Sequence, residues 1–461
     1  MRLFQNCRIE ISKIVLVFFL WLLPAGAAPG KMNKPEPLCM DIPYGRLTLT
    51  QAQQMALSAS PRVAEMLARI NQAQAVCDQA RADLWPTVTV HAGYDWQNQS
   101  IRPDWHPEIR VEESLKHQNT GIQINWLLFD GFSRQASILA AKAGTKAAEE
   151  MTEDVRRLLA KSVAGAYYQA QLAAEGMQIA KQNSLFNQNL ARDAEKRFLA
   201  GAIPQAEYLN FNVKSLQAEN SFLKAEQYYS VVCIMLAKLL ARPDSRLAPD
   251  MYPMAEVQSE TLDQLPIFED EFAYAINHRP DLLLLDAKRE ALLQKKRQGK
   301  AAFYPKIFVT GSYDYDEYQN IGNIDQNEHG SAIGFSLNWD LFDGGRRLAN
   351  IDETQTRLLQ VKRQKQQKIL EIQAALHQAL VKVRFSQAVY QRERYTLKLV
   401  KQIRDHVERS YRVGVTTLTR LNEAQTDLVT VQASIATSRI NCLLHLESLR
   451  AESGRILDGI R

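Results

Sequence analysis

The stretch NWLLFDGFSRQA (Asn125–Ala136) returns later in the chain as NWDLFDGGRRLA (Asn338–Ala349). Trp126, Phe129, Asp130 and Gly131 match Trp339, Phe342, Asp343 and Gly344 at an offset of 213 residues, and Gly201 matches Gly414 at the same offset. Upstream the offset is 219, pairing Pro61 with Pro280, Trp85-Pro86 with Tyr304-Pro305, and Tyr94-Asp95 with Tyr313-Asp314. The register slips once, by six residues, between Asp95 and Trp126, where a loop absorbs it. A register held over such a length marks a tandem duplication.

Just before each copy the pattern has period two. Val88, Val90, Ala92, Tyr94 and Trp96 alternate with polar residues, and Ile122, Ile124, Trp126 and Leu128 do the same. The second repeat follows with Ile307, Val309, Tyr313 and Tyr315, then Ile333, Phe335, Leu337 and Trp339. The spacing predicts four strands of about 10 residues, the length that crosses a bilayer at a tilt, with one apolar face and one polar. A soluble sandwich gives the same alternation but usually needs about seven strands. Lipid tolerates no open sheet edge, and four strands cannot close a barrel. Three copies would supply twelve.

After each copy come segments without breakers: no proline from Gly131 to Leu199, and neither glycine nor proline between Gly345 and Gly414. As helices at ~1.5 Å per residue they would each reach on the order of 100 Å. Val155, Leu159, Val163, Ala166, Ala170, Ala173, Met177 and Ala180 mark a coiled-coil seam. Ala200-Gly201-Ala202 and Val413-Gly414-Val415 are the expected turns, each followed by a returning amphipathic helix, and Pro204 suits a first helical turn. A filamentous stalk or adhesin would explain these helices, though not the paired amphipathic hairpins.

The expected organisation is a signal peptide (1–28), an N-terminal extension (29–46), a first structural repeat (47–241), a proline-rich linker (242–266) and a second structural repeat (267–457). The signal reading rests on Arg2, Arg8 and Lys13, the short apolar run Ile14 to Leu23, and Ala25-Gly26-Ala27-Ala28; an uncleaved anchor is the alternative. Cys39 follows Glu36-Pro37-Leu38, which lacks the small residues of lipoprotein processing, so a lipid anchor is not expected. Cys77, Cys233 and Cys442 read as buried small apolar residues, and no C-x-x-C spacing suggests a metal.

The net charge of +5 is dispersed along helical segments, without the concentrated basic patch that nucleic-acid binding needs. Eight scattered histidines, with no H-E-x-x-H, G-x-S-x-G or phosphate-binding glycine loop, argue against an enzyme, and no cofactor is expected. A passive porin would need more strands per chain.

In this order, five stretches resemble the TolC family of outer-membrane export channels: LTLTQAQQMALSASP (Leu47–Pro61), ARADLWPTVTVHAGYDW (Ala80–Trp96), the two copies quoted first, and ERSYRVGVTTLTRLNEAQTDL (Glu408–Leu428). The resemblance spans Leu47 to Leu457. It implies a mainly α protein with membrane β structure, a tandem-repeat protomer of a homotrimer whose twelve-stranded barrel joins a twelve-helix coiled-coil tunnel. The lipid-facing side chains would be Val88, Val90, Tyr94, Ile122, Ile124, Trp126, Val309, Tyr313, Phe335, Leu337 and Trp339.

The resemblance also implies a place in the outer membrane of a Gram-negative bacterium, a periplasmic adaptor, and an inner-membrane pump of RND or ABC type. By analogy the tips surround the periplasmic entrance, with Arg197, Phe198, Gly201, Tyr411, Arg412 and Gly414 as docking candidates. Of these, the two glycines are expected as turn formers ahead of direct contact, and packing inside the coiled coil is the equal alternative for Phe198 and Tyr411. Two acidic gate positions of the family fall on Arg420 and Glu423, the first departing from the family acid; Glu207 matches in the first repeat, and Thr416 replaces a linking base. The expectation is that Arg420 pairs with Glu207 or Glu423 across neighbouring helices and keeps the entrance shut; three solvated charges are the alternative. Small-molecule efflux is the first expected cargo class and one-step protein secretion the second.

Overall fold

The computed structural model describes residues 47–101, 108, 111–247, 266–321 and 324–460. The expected signal peptide, the extension with Cys39 and most of the linker lie outside them. The first repeat contains α1 (Leu49–Ala59), α2 (Pro61–Ala82), β1 (Thr87–Ile101), β2 (Val111–Phe129), α3 (Ser133–Leu199) and α4 (Gln205–Leu239). The second contains α5 (Phe268–His278), α6 (Pro280–Ala301), β3 (Lys306–Ile321), β4 (Ile324–Asn338), α7 (Arg346–Arg412) and α8 (Leu418–Ser453).

Local chemistry sets these boundaries. Thr48 and Gln51 form a capping box that opens α1. Each helix break falls before a proline, where Ser60 and Arg279 hold extended backbone (ψ 122° and 123°) and Pro61 and Pro280 open the next helix. The long helices α3 and α7 have 67 residues each.

The strands form one antiparallel sheet in the order β1-β2-β3-β4. The pairs Val88↔Ile124, Val90↔Ile122, Ile122↔Tyr313, Trp126↔Val309 and Val309↔Phe335 put the whole expected apolar set on a single face. The strands have 15, 19, 16 and 15 residues, longer than expected. Alternation loses its signal where the outward positions turn polar, at Lys116, Gln118, Glu317 and Gln319, but ladder pairing continues regardless of polarity.

Helix order follows strand order. Next to the sheet, α3 packs between α2 and α6, and α6 against α7. Farther away, α4 and α8 take over the positions of α2 and α6, so the order becomes α4-α3-α8-α7. Because α3 has neighbours on both sides, it buries Thr152, Ala160, Ala164, Tyr167 and Gln171 in addition to Val163, Ala170 and Ala173 of the expected seam. Val155, Leu159, Ala166, Met177 and Ala180 are only half-buried. Small side chains let the helices approach closely; besides Tyr167, the largest buried groups of this cluster are Leu47, Leu236 and Leu240. Cys77, Cys233 and Cys442 are buried free thiols, as expected.

Candidate functional site

The first functional surface is the sheet. Val88, Val90, Tyr94, Ile124, Trp126, Tyr313, Phe335, Leu337 and Trp339 are all large apolar or aromatic side chains left exposed, with Phe335 at 76% and Ile333 at 83%. Ile122 and Val309, in the middle of the same face, are half-buried by their neighbours. So continuous an apolar face marks an interaction surface, and the opposite face, with Thr87, Thr89, Gln123, Asn125, Thr310 and Ser312, is polar. This is the alternation of a membrane barrel wall. No helix among the described residues is long and apolar enough to cross a membrane.

The repeated motif forms the joint between sheet and helices. Asp130 accepts hydrogen bonds from the backbone N–H (3.0 Å) and Nε (3.2 Å) of Arg134 at the start of α3. Arg134 donates onward to Asp83 O and Leu128 O, both at 3.1 Å, and Trp126 Nε1 donates to Leu84 O. Asp343, Arg347 and Trp339 repeat the arrangement with Ala302 O, Leu341 O and Phe303 O. The N–H groups and charge of Arg347, with Gly345 N–H, outweigh desolvation and hold the Asp343 carboxyl below its usual range. Gly131 (φ +66°) lies so close to the second repeat that an added Cβ would be 2.7 Å from Ala301 O and Tyr304 Cβ. Its counterpart Gly344 (φ +69°) has open space.

The second surface is at the helix tips. Gly201 and Gly414 adopt φ of +70° and +76° and close the turns through Ala202 N–H to Arg197 O and Val415 N–H to Ser410 O. Tyr411 is buried with Phe211, under the Arg197 guanidinium at 5.4 Å, while Phe198 stacks on Tyr208. Both aromatic residues therefore pack the coiled coil. Burial raises the Tyr411 phenol, Arg197 opposes this, and the charges of Glu207 and Asp193 add to it. Arg412 is exposed, held by Glu408, which also binds Arg404. A cleft of about 240 Å³ runs between the tips, lined by Phe186, Asp193, Arg197, Glu408, Tyr411 and Arg412. Three apolar residues of the tips that were not among the docking candidates are prominent: Leu199, Val413 and Val415, at 78%, 74% and 79% exposure.

Arg420 does pair with Glu423, at 3.1 Å, but within α8 rather than between helices. Residues three apart on one helix are neighbours, and both side chains here are more than half exposed, so the pair contributes little within the chain.

The joints between helices differ in chemistry. Within each repeat, α3/α4 and α7/α8 meet along apolar seams; α3 and α8 share the apolar clusters of Ala160 with Ala451 and of Ala191 and Ala194 with Leu418 and Leu421, and add polar links along their length. Gln425 Nε2 donates to Asn183 Oδ1 (3.0 Å), Arg439 pairs with Glu175, and Lys161 with Glu452 (2.7 Å). Burial lowers the affinity of Arg439 for its proton.

A sheet with one apolar and one polar face, continued into hairpins about 100 Å long, is the architecture of an outer-membrane export channel protein. The chain belongs to the outer membrane efflux protein family, whose model matches residues 52–242 and 273–455. That family is one of efflux proteins, as the sequence resemblance implied. Protein CyaE of Bordetella pertussis is 23% identical over 384 residues, 83% of this chain and 78% of that protein. The pyoverdine export outer membrane protein OpmQ of Pseudomonas aeruginosa is 22% identical over 401 residues, 86% and 83% of the two chains. The solved outer membrane protein VceC of Vibrio cholerae superposes with a TM-score of 0.73 at 17% identity, covering 88% of this chain and 96% of that one.

Proposed function

We propose that the chain is one of three identical subunits of an exit duct in the outer membrane, coupled through its helical tips to a periplasmic adaptor and an inner-membrane pump of RND or ABC type. One observation carries the trimer: the joint between the two repeats can propagate. Within the chain β2 pairs with β3, which leaves β1 and β4 as open edges, with α4 and α7 the matching outer helices. Those helices carry exposed apolar residues, among them Leu216 and Leu223 on α4 and Leu370 and Phe385 on α7. A heterologous contact of this kind closes into a ring when the rotation allows.

The repeat offsets give the register expected of the proposed joint. Ile122↔Tyr313 within the chain corresponds to Phe335 against Tyr94 of the next subunit, both on the apolar face. The double variant Tyr94→Cys/Phe335→Cys should therefore oxidise to covalent dimers and trimers on a non-reducing gel, while each single variant stays monomeric. Absence of a trimer band from correctly inserted protein would sink this assembly.

The exposed tip residues support docking. Val415→Asp and Leu199→Asp should abolish export in cells with the trimer level unchanged, because a buried carboxylate in the docked interface costs several kcal/mol. Drug susceptibility indistinguishable from the parent would place docking elsewhere. OpmQ is named for pyoverdine export, which favours small-molecule cargo here. A deletion strain that keeps its drug resistance but loses a secreted protein would reverse that choice.

A further inference from the structure

The polar face of the sheet carries its own charge pattern. Asp95, Asp314, Asp316 and Glu328 lie on it, with His91 and His117 among them. Lys306, at the helical end, is the one lysine or arginine on this face among the described residues. Asp316 and Glu328 stand directly opposite each other, a placement of like charges that a sheet does not adopt for stability.

Two glycines show how these groups sit. Gly121 separates His91 on β1 from Asp314 on β3, and the imidazole Nε2 reaches across it to Asp314 Oδ1 at 3.2 Å. A Cβ at Gly121 would lie 2.3 Å from that oxygen and 2.6 Å from His91 Cε1. The glycine is a notch that lets both side chains lie flat along the wall. His117 Nε2 meets Asp316 Oδ1 at 2.8 Å, its Nδ1 lies 3.9 Å from Asp95 Oδ2, and its ring stacks on Tyr318.

The duplication turns this into a ring. Asp95 and Asp314 are counterparts at the 219-residue offset, and Gly121 and Gly334 are counterparts at 213. Gly121 faces Asp314 within the chain, so Gly334 would face Asp95 of the next subunit in the register derived above. Closure by three subunits thus brings six aspartates to one height around the bore. Twelve strands about 4.8 Å apart and tilted about 40° enclose a cylinder about 24 Å across its backbone, narrower inside its side chains. The Debye length is about 10 Å at 0.1 M salt, so the field of such a ring spans the opening.

We infer that the Asp95/Asp314 ring, reinforced by Asp316 and Glu328, makes the bore select for cations. The inference rests on the trimeric pore proposed above. The groups facing His91 are Gly121, Gln123 and Asn119 on β2 and Ser312, Asp314 and Asp316 on β3; those facing His117 are Asp95 on β1 and Asp316 and Tyr318 on β3. No lysine or arginine lies among them to offset the carboxylates.

The test is the reversal potential of the purified full-length protein in a planar lipid bilayer under a KCl gradient. The K⁺/Cl⁻ permeability ratio should fall about threefold or more in Asp95→Asn/Asp314→Asn, since rings of carboxylates set cation preference. Asp316→Asn/Glu328→Gln, which leaves the ring and its notches intact, should lower it less. Conducting channels whose ratio is unmoved by both carboxylate variants would overturn the ring and leave the pore standing. A parent protein that is silent in bilayers would overturn the pore and the ring together.

Discussion

Arg279→Ala lowers the stability of the protomer by about 3–5 kcal/mol, the expected cost of removing one partner from a buried ion pair. Arg279 is 4% exposed at the α5–α6 break. Its Nε and Nη2 bind the two Asp281 oxygens at 3.0 and 2.7 Å, and its Nη1 binds Glu452 O at 2.5 Å and Glu452 Oε2 at 3.2 Å. Lys161 reaches the same Glu452 from α3, and Arg157 reaches Ala451 O at 2.8 Å, so one cluster ties α3 and the α5–α6 break to the end of α8. Without the guanidinium, two carboxylates remain in a site built for a cation. Arg279→Lys should recover only part of the loss, because an ammonium cannot reproduce the two-pronged contact with Asp281. The thermal unfolding midpoint by circular dichroism measures both variants; an alanine variant that melts with the parent would remove the cluster from the list of stabilising contacts.

The same cluster sets an acid limit. Burial works to raise the Asp281 carboxyl, but the hydrogen bonds and charge of Arg279, with Arg157 and Lys368 beyond it, hold it below the usual range. Glu452 is held down likewise by Lys161, Arg279 and Arg157 against its own burial. A carboxyl depressed in the folded state contributes stability above its unfolded pKa of about 4 and loses it as pH falls toward the folded value. The acid transition should therefore lie below about pH 4 in the parent and shift upward in Arg279→Ala, where that depression is gone.

How far the sequence could be read depended on whether a feature repeats or alternates. The two hairpins, their apolar faces and the paired long helices all follow from local period and from the 213- and 219-residue offsets. The outer ends of the strands were hidden because polarity there carries no face. The Arg279 cluster was hidden because it breaks the repeat: its counterpart is Ser60, and its partner Glu452 is 173 residues away. The Arg134 contacts were hidden in a different way. Asp130 was visible as a repeated residue, but only the fold shows that its arginine reaches back to Asp83 O at the end of α2. Leu199, Val413 and Val415 look like ordinary helix-end hydrophobics until their exposure is known. His91 and Asp314 could have been paired from the strand register, but only with the notch at Gly121 in view.

The repeated joint between sheet and helix offers a last comparison, since its two copies sit in different surroundings. Arg134→Ala leaves Asp130, 4% exposed, without its cation and cuts the links to Asp83 O and Leu128 O, so it costs the protomer about 3–5 kcal/mol. Arg347 makes the corresponding contacts to Asp343, Ala302 O and Leu341 O, but beside it Gly344 has open space where Gly131 meets Ala301 and Tyr304. In the proposed trimer the repeat offset would place Ala82 and Trp85 of the next subunit in that space, and Trp85 is 75% exposed in the single chain. Arg347→Ala should therefore cost the single chain less than Arg134→Ala does and act in addition on assembly, lowering the temperature at which trimers dissociate in SDS. Arg134→Ala should lower both that temperature and the helical melting midpoint. If Arg347→Ala trimers resist SDS and heat as the parent does, the open edge at Gly344 is not a subunit contact, and the propagated joint that closes three chains into one duct loses its foundation.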